Sequence, residues 1–129
     1  MAPHGSFTWN ELLTTDVGKA RAFYGDLLGW TYQDMPMGEA GMYTIIKNGG
    51  QDAGGMMPLA AIEGGQELPP HWMSYIAVDD VDARTAKVEA LGGRVFKEPF
   101  DIPDIGRMSV IADPTGAVVC LITLRDPSG

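Results

Sequence analysis

A carboxylate stands two residues from a tryptophan in the run Phe7-Thr8-Trp9-Asn10-Glu11-Leu12-Leu13. Read as a strand, this run puts Trp9 and Glu11 on one face, because alternate residues share a side of a sheet. Burying a carboxylate there is costly unless it is paired, and Arg107, Tyr75 or His71 could pair with it. In a dry site its pKa could rise far enough for general acid or base work. Tyr75, two residues along from Met73, is the matching hydrogen-bond donor. If the register is shifted by one, Glu11 is instead a surface carboxylate. Cys120 reads as a small buried apolar residue and not as a nucleophile, since no basic group is predicted near it. Gly49-Gly50 and Gly54-Gly55 fall in a hairpin and not in a strand-to-helix turn, so they make no phosphate loop.

The elements that must position these residues repeat once. After the first strand, Asp16 can cap a helix whose apolar positions Val17, Ala20, Phe23, Tyr24, Leu27 and Leu28 follow helical spacing, and Gly29 ends it. Strands are expected around Trp30 to Gln33, Met42 to Lys47 and Ala53 to Met57. Asn48-Gly49 supplies a hairpin turn between the last two. Gly38 and Gly41 mark a looser loop. An irregular connector runs from Pro58 to Pro70. The plan then recurs: a strand from His71 to Val78, a helix capped by Asp80 and running through Leu91, and the stop Gly92-Gly93. Strands follow at Arg94 to Lys97, Arg107 to Ala112 and Ala117 to Leu124. Asp113-Pro114-Thr115-Gly116 has type I turn residues at their preferred places. The two capping aspartates are offset by 80 − 16 = 64 residues, about half of the chain.

Composition limits what such an arrangement could serve. The 129 residues suit one domain, or two small halves sharing a core, with an ordinary globular balance of 45% hydrophobic and 20% charged residues. Nine basic against 17 acidic residues give a net charge of −8, which argues against a phosphate-backbone partner and suits neutral or cationic small molecules. The longest apolar runs are too short to cross a bilayer. Neither a secretory signal nor a disulfide framework is expected, so a cytoplasmic setting is the default.

Several local strings together resemble one family. Thr15-Asp16-Val17, Ala22-Phe23-Tyr24 and Leu27-Leu28-Gly29-Trp30 look like the first helix of the vicinal oxygen chelate superfamily, which includes glyoxalases, extradiol dioxygenases and bleomycin-resistance proteins. Val78-Asp79-Asp80-Val81, Leu91-Gly92-Gly93 and Asp113-Pro114-Thr115-Gly116 resemble its second module. The resemblance implies an α+β fold in which two tandem βαβββ modules form a curved mixed sheet with a central cleft and helices outside. Residues 1–129 would then be a single domain: module one about 5–58, a connector at 59–70, and module two about 71–125.

The resemblance also implies where a divalent metal would sit, held by His, Glu or Gln from the first and last strand of each module. Those positions fall on Trp9, on Gly55 or Met56, on Met73 and on Cys120. Indole, thioether and one thiol make a poor cage for a hard ion, so neither metal nor cofactor is expected. A displaced site would have to draw on His4, His71 and Glu11, with His4 in a frayed terminus. The inward-facing positions of the implied cleft are instead Trp9, Glu11 and Met56 from module one, with Met73, Tyr75, Met108 and Cys120 from module two. Trp72 and Met57 lie next to them. Aromatic walls with methionine suit an apolar or planar organic ligand.

Three functions compete on this reading. One is a metal-independent binding protein for a small apolar, aromatic or cationic molecule. A second is a lyase, isomerase or dioxygenase-type enzyme using a displaced metal site, or Glu11 and Tyr75 as acid and base. The third is an interaction or regulatory module acting as a homodimer. The connector Glu63 to Glu67 is read as solvated loop or as a lid.

Overall fold

The structure is a computed structural model, and it describes residues 3–36, 41–61, 68–102 and 105–125. It is an α+β arrangement of two βαβββ modules. The first holds β1 (Phe7–Thr14), α1 (Val17–Leu28), β2 (Thr31–Pro36), β3 (Met42–Asn48) and β4 (Gln51–Pro58). The second holds β5 (His71–Ala77), α2 (Val81–Thr85), β6 (Arg94–Ile102), β7 (Gly106–Ala112) and β8 (Val118–Leu124). The chain divides into two compact units: Trp9–Met73, and the residues through Thr8 together with Ser74 onward.

In the first unit the strands lie in the order β2-β3-β4-β1. β1 runs parallel to β4, and the other neighbours are antiparallel. Asp16 caps α1 through its side chain, which accepts from the Lys19 N–H at 3.0 Å. Gly29 closes the helix in the left-handed region at φ 78, donating to the Gly25 carbonyl. Leu12, Ile46 and Met56 form the buried core, and Val17, Ala20, Tyr24, Trp30 and Tyr32 pack against it. That is only half of the apolar set expected to face inward. Phe23, Leu27 and Leu28 are exposed, and no α1 residue is fully buried, because a 12-residue helix over a small sheet reaches the core with one narrow stripe. The β3–β4 turn also lies one residue later than expected. Asn48 pairs with Gln51, and Gly49 and Gly50 take the two left-handed positions at φ 60 and 85.

The second unit repeats the order as β5-β8-β7-β6, with β5 parallel to β8. Asp80 caps α2 at φ −146, ψ 99, nearly the backbone of Asp16 at φ −144, ψ 90. α2 is shorter than the expected helix through Leu91. After Thr85 the bonding tightens: the Lys87 and Val88 N–H groups donate three residues back, to Arg84 and Thr85. Gly93 then donates to the Val88 carbonyl, where its missing side chain leaves room for Val88 and the Ala112 carbonyl. Buried Thr85 and Ser109 exchange a 2.8 Å hydroxyl hydrogen bond between α2 and β7. The Asp113 turn forms as read, with its carboxylate accepting from the Thr115 and Ala117 N–H groups. The loop glycine Gly38, the doublet Gly64-Gly65 and the Glu63 to Glu67 lid lie outside the described residues.

Candidate functional site

Register sorts the two faces of the first sheet. Leu12, Met56 and Thr44 stand opposite one another, as do Glu11, Gly55 and Ile45. The first row belongs to the core under α1, so Glu11, Gly55 and Ile45 look away from that helix. Alternation adds Trp9 and Leu13 from β1, Tyr43 from β3 and Met57 from β4 to the same face. Met56 was expected among the site residues, but it lies wholly buried in the helix-side core. Gly55 holds the register position that puts a residue on the Glu11 face.

Glu11 is only 6% exposed. Its hydrogen-bonding partner on this face is Tyr43, which sequence reasoning missed. The Trp9 Nε1–H donates to Tyr43 Oη at 2.9 Å, and the phenol proton is directed to the Glu11 carboxylate. Burial, and then the negative charge of Glu11, hold the Tyr43 pKa far above the ordinary tyrosine value, against a smaller opposing effect of the Trp9 bond. The ring lies across Gly55, where a Cβ would meet its hydroxyl and the adjoining ring carbons. The signal available in the sequence was Gly54-Gly55 inside a strand, a common mark of close approach.

In the second unit, Tyr75 pairs with Cys120, and Cys120 with Val110. Met108 and Ile122 are the next pair on that side. This face is opposite α2, since Ser109, Arg107 and Thr123 on the other face bond to Thr85, Asp82 and the Val81 N–H. Tyr75, Met108 and Cys120 thus share one buried face, and alternation puts Met73 on the Tyr75 side of β5. Tyr75 is the counterpart of Glu11 at the offset of 64 residues, each beside the last strand of its module.

Two of the residues expected beside Glu11, Arg107 and His71, bond to other groups. Arg107 donates to both carboxylate oxygens of Asp82, at 2.8 and 3.0 Å, and to Asp101 at 3.2 Å. His71 donates from Nδ1 to the Pro69 carbonyl at 2.8 Å. His4 is not frayed: its Nδ1 accepts from the Asp79 N–H at 3.0 Å, and the adjoining backbone pairs with Ala77. Trp72 stands edge-on to Tyr24 and Trp30 and is half exposed.

Among the described residues no group of three or more His, Cys, Asp or Glu is placed to hold a metal ion. At the positions that the family resemblance assigns to ligands stand Trp9, Gly55, Met73 and Cys120. Within the first unit the space a ligand side chain on residue 55 would need is filled by the Tyr43 phenol. This donor set does not fit a hard divalent ion.

Comparison with known proteins agrees with the architecture. The chain is 48% identical over 120 residues to CFP32 of Mycobacterium bovis, a protein provisionally named a glyoxylase. It is 35% identical over 123 residues to the anthracycline biosynthesis protein DnrV of Streptomyces peucetius. These matches cover 91% and 88% of the chain but 45% of each relative, so the chain spans less than half of their length. The methylmalonyl-CoA epimerase of Mycobacterium tuberculosis has a similar fold, with a TM-score of 0.66 at 18% identity over 98% of this chain and 93% of that one. Residues 6–121 match the family model directly, and the chain belongs to the Glyoxalase/Bleomycin resistance protein/Dioxygenase superfamily.

Proposed function

We propose that the protein is a metal-independent small-molecule-binding member of this superfamily, with Trp9, Tyr43 and Glu11 as its polar anchor. The observation that carries this reading is the Tyr43 phenol lying over Gly55 and bonded to both Trp9 and Glu11. The array includes Trp9 and covers Gly55, two positions that the family resemblance assigns to metal ligands, which supports a reading without metal. Ile45, Met57 and Leu13 flank the array with apolar surface. Tyr75, Met108 and Cys120 give the second module a face of similar chemistry, and aromatic and thioether groups favour a planar organic ligand. The name of DnrV, for anthracycline biosynthesis, supports an aromatic ligand class. A cytoplasmic setting goes with a single, buried cysteine.

Thermal-shift measurements test this with anthracyclines and simpler hydroxylated aromatics, in the presence and absence of a chelator. The expected result is stabilisation that the chelator does not change. Stoichiometric nickel, zinc, manganese or iron in the purified protein would overturn the metal-independent reading. A second reading, proton transfer by Glu11 in a lyase or isomerase, is favoured by the tyrosine bonded to a buried carboxylate. Turnover abolished by Glu11→Gln while binding persists would select it.

A further inference from the structure

The hydrogen bonds at Glu11 run in one direction. An indole N–H can only donate, so the Trp9 bond fixes Tyr43 Oη as an acceptor on that side. The phenol has one proton, and that proton goes to the carboxylate. Each link therefore passes a hydrogen toward Glu11, and donors in series polarise one another. The arrangement favours the ionised carboxylate, which accepts and cannot donate. Tyr43 keeps its proton to give across the neutral range, because burial holds its pKa up. Its ring is also pinned, with Gly55 beneath it.

Resting on the binding function proposed above, we infer that the ligand offers Glu11 a hydrogen-bond donor, a phenolic hydroxyl or a protonated amine, carried on an aromatic frame. A ligand whose group at that point is an ether, carbonyl or carboxylate oxygen sets acceptor against acceptor in a buried place and is rejected. This narrows the ligand class. Flat apolar surface alone does not suffice, and an anionic aromatic is excluded.

Four probes sharing one frame test it: naphthol, naphthylmethylamine, methoxynaphthalene and naphthoate, titrated calorimetrically into the intact chain. The first two should bind at least about tenfold more tightly than the last two, the size expected of a charge-assisted hydrogen bond. Glu11→Gln should erase or invert that preference, because its amide can turn a donor toward the ligand. The wild-type comparison alone keeps the inference falsifiable should the variant fail to fold. Equal binding of all four probes, tighter binding of naphthoate, or an unchanged preference in Glu11→Gln would each overturn the donor requirement while leaving aromatic binding intact. Binding by none of the four would remove the binding function itself, and the donor requirement with it.

Discussion

The Tyr43 ring lies across the α-carbon of Gly55, so that any side chain on residue 55 would stand where the phenol hydroxyl is. Gly55→Ala should therefore destabilise the protein by about 1–3 kcal/mol, the usual cost of overpacking. Its obstacle is a side chain, so Tyr43→Ala in the same chain should recover part of the loss. Gly54 gives the contrast. A Cβ there meets the Asn10 backbone carbonyl at 2.5 Å, and no second substitution removes a backbone oxygen. Gly54→Ala should be the more damaging change and should not respond to Tyr43→Ala. Urea unfolding of the three single and two double variants, arranged as two double-mutant cycles with wild type, reads the difference.

Tyr43→Phe keeps the ring over Gly55 and removes only the hydroxyl. The Trp9 N–H then loses its acceptor and a buried carboxylate loses a donor. The expected destabilisation at neutral pH is about 1–3 kcal/mol. A loss below about half a kcal/mol would mean that water or another group takes over both bonds, and the directed chain to Glu11 would have no energetic basis.

These residues also mark where sequence reading stopped. The offset of 64 residues located both helix caps, and Asp16 and Asp80 do adopt nearly one backbone conformation. Caps and glycine stops are local, so their signals sit next to the residues they control. Tyr43 was invisible because its role depends on Ile45 pairing with Gly55 across β3 and β4, a register no local pattern records. Met56 was misplaced for the same reason. In the run Gly54-Gly55-Met56 nothing local says which residue shares the Glu11 face, and a shift of one exchanges core for site. Phe23 and Leu27 fit a helical stripe, yet how wide a stripe the sheet beneath can cover is a property of the packed unit.

The alkaline limb of stability should carry the signature of Tyr43. Its pKa in the folded chain lies above that of the unfolded chain, near the ordinary tyrosine value of about 10. The stabilisation is therefore complete below about pH 10 and is lost as pH rises beyond it, because the unfolded chain releases a proton that the native chain keeps. Tyr32, also raised by burial, adds in the same direction. Tyr43→Phe should flatten this limb. Phenolate absorbance should show one phenol fewer released at the unfolding step and no change in those titrating before it. Titration of Tyr43 ahead of unfolding would contradict its burial beside Glu11.

Carboxylates of the second module contribute to the acid limb of stability. A hydrogen bond from Arg84 holds Asp79 below the ordinary carboxylate range, and one from Arg107 does the same for Asp82. The Thr115 side chain, with backbone N–H groups of the turn, lowers Asp113. Each folded-state value lies below the unfolded one. Their contribution is therefore present above about pH 4 and lost as the pH falls below it. All three groups are exposed, so the arginine pairs should weaken in high salt while the Asp113 turn, built on short local bonds, should not. Asp113→Asn separates the two kinds: it keeps an oxygen to accept from the turn and loses the charge. The variant should be less stable than wild type at neutral pH, and the gap should close as the pH falls toward 2. Melting temperatures recorded across that range at low and high salt measure both effects. A gap that persists at the lowest pH would assign the turn's stability to its shape and not to its charge.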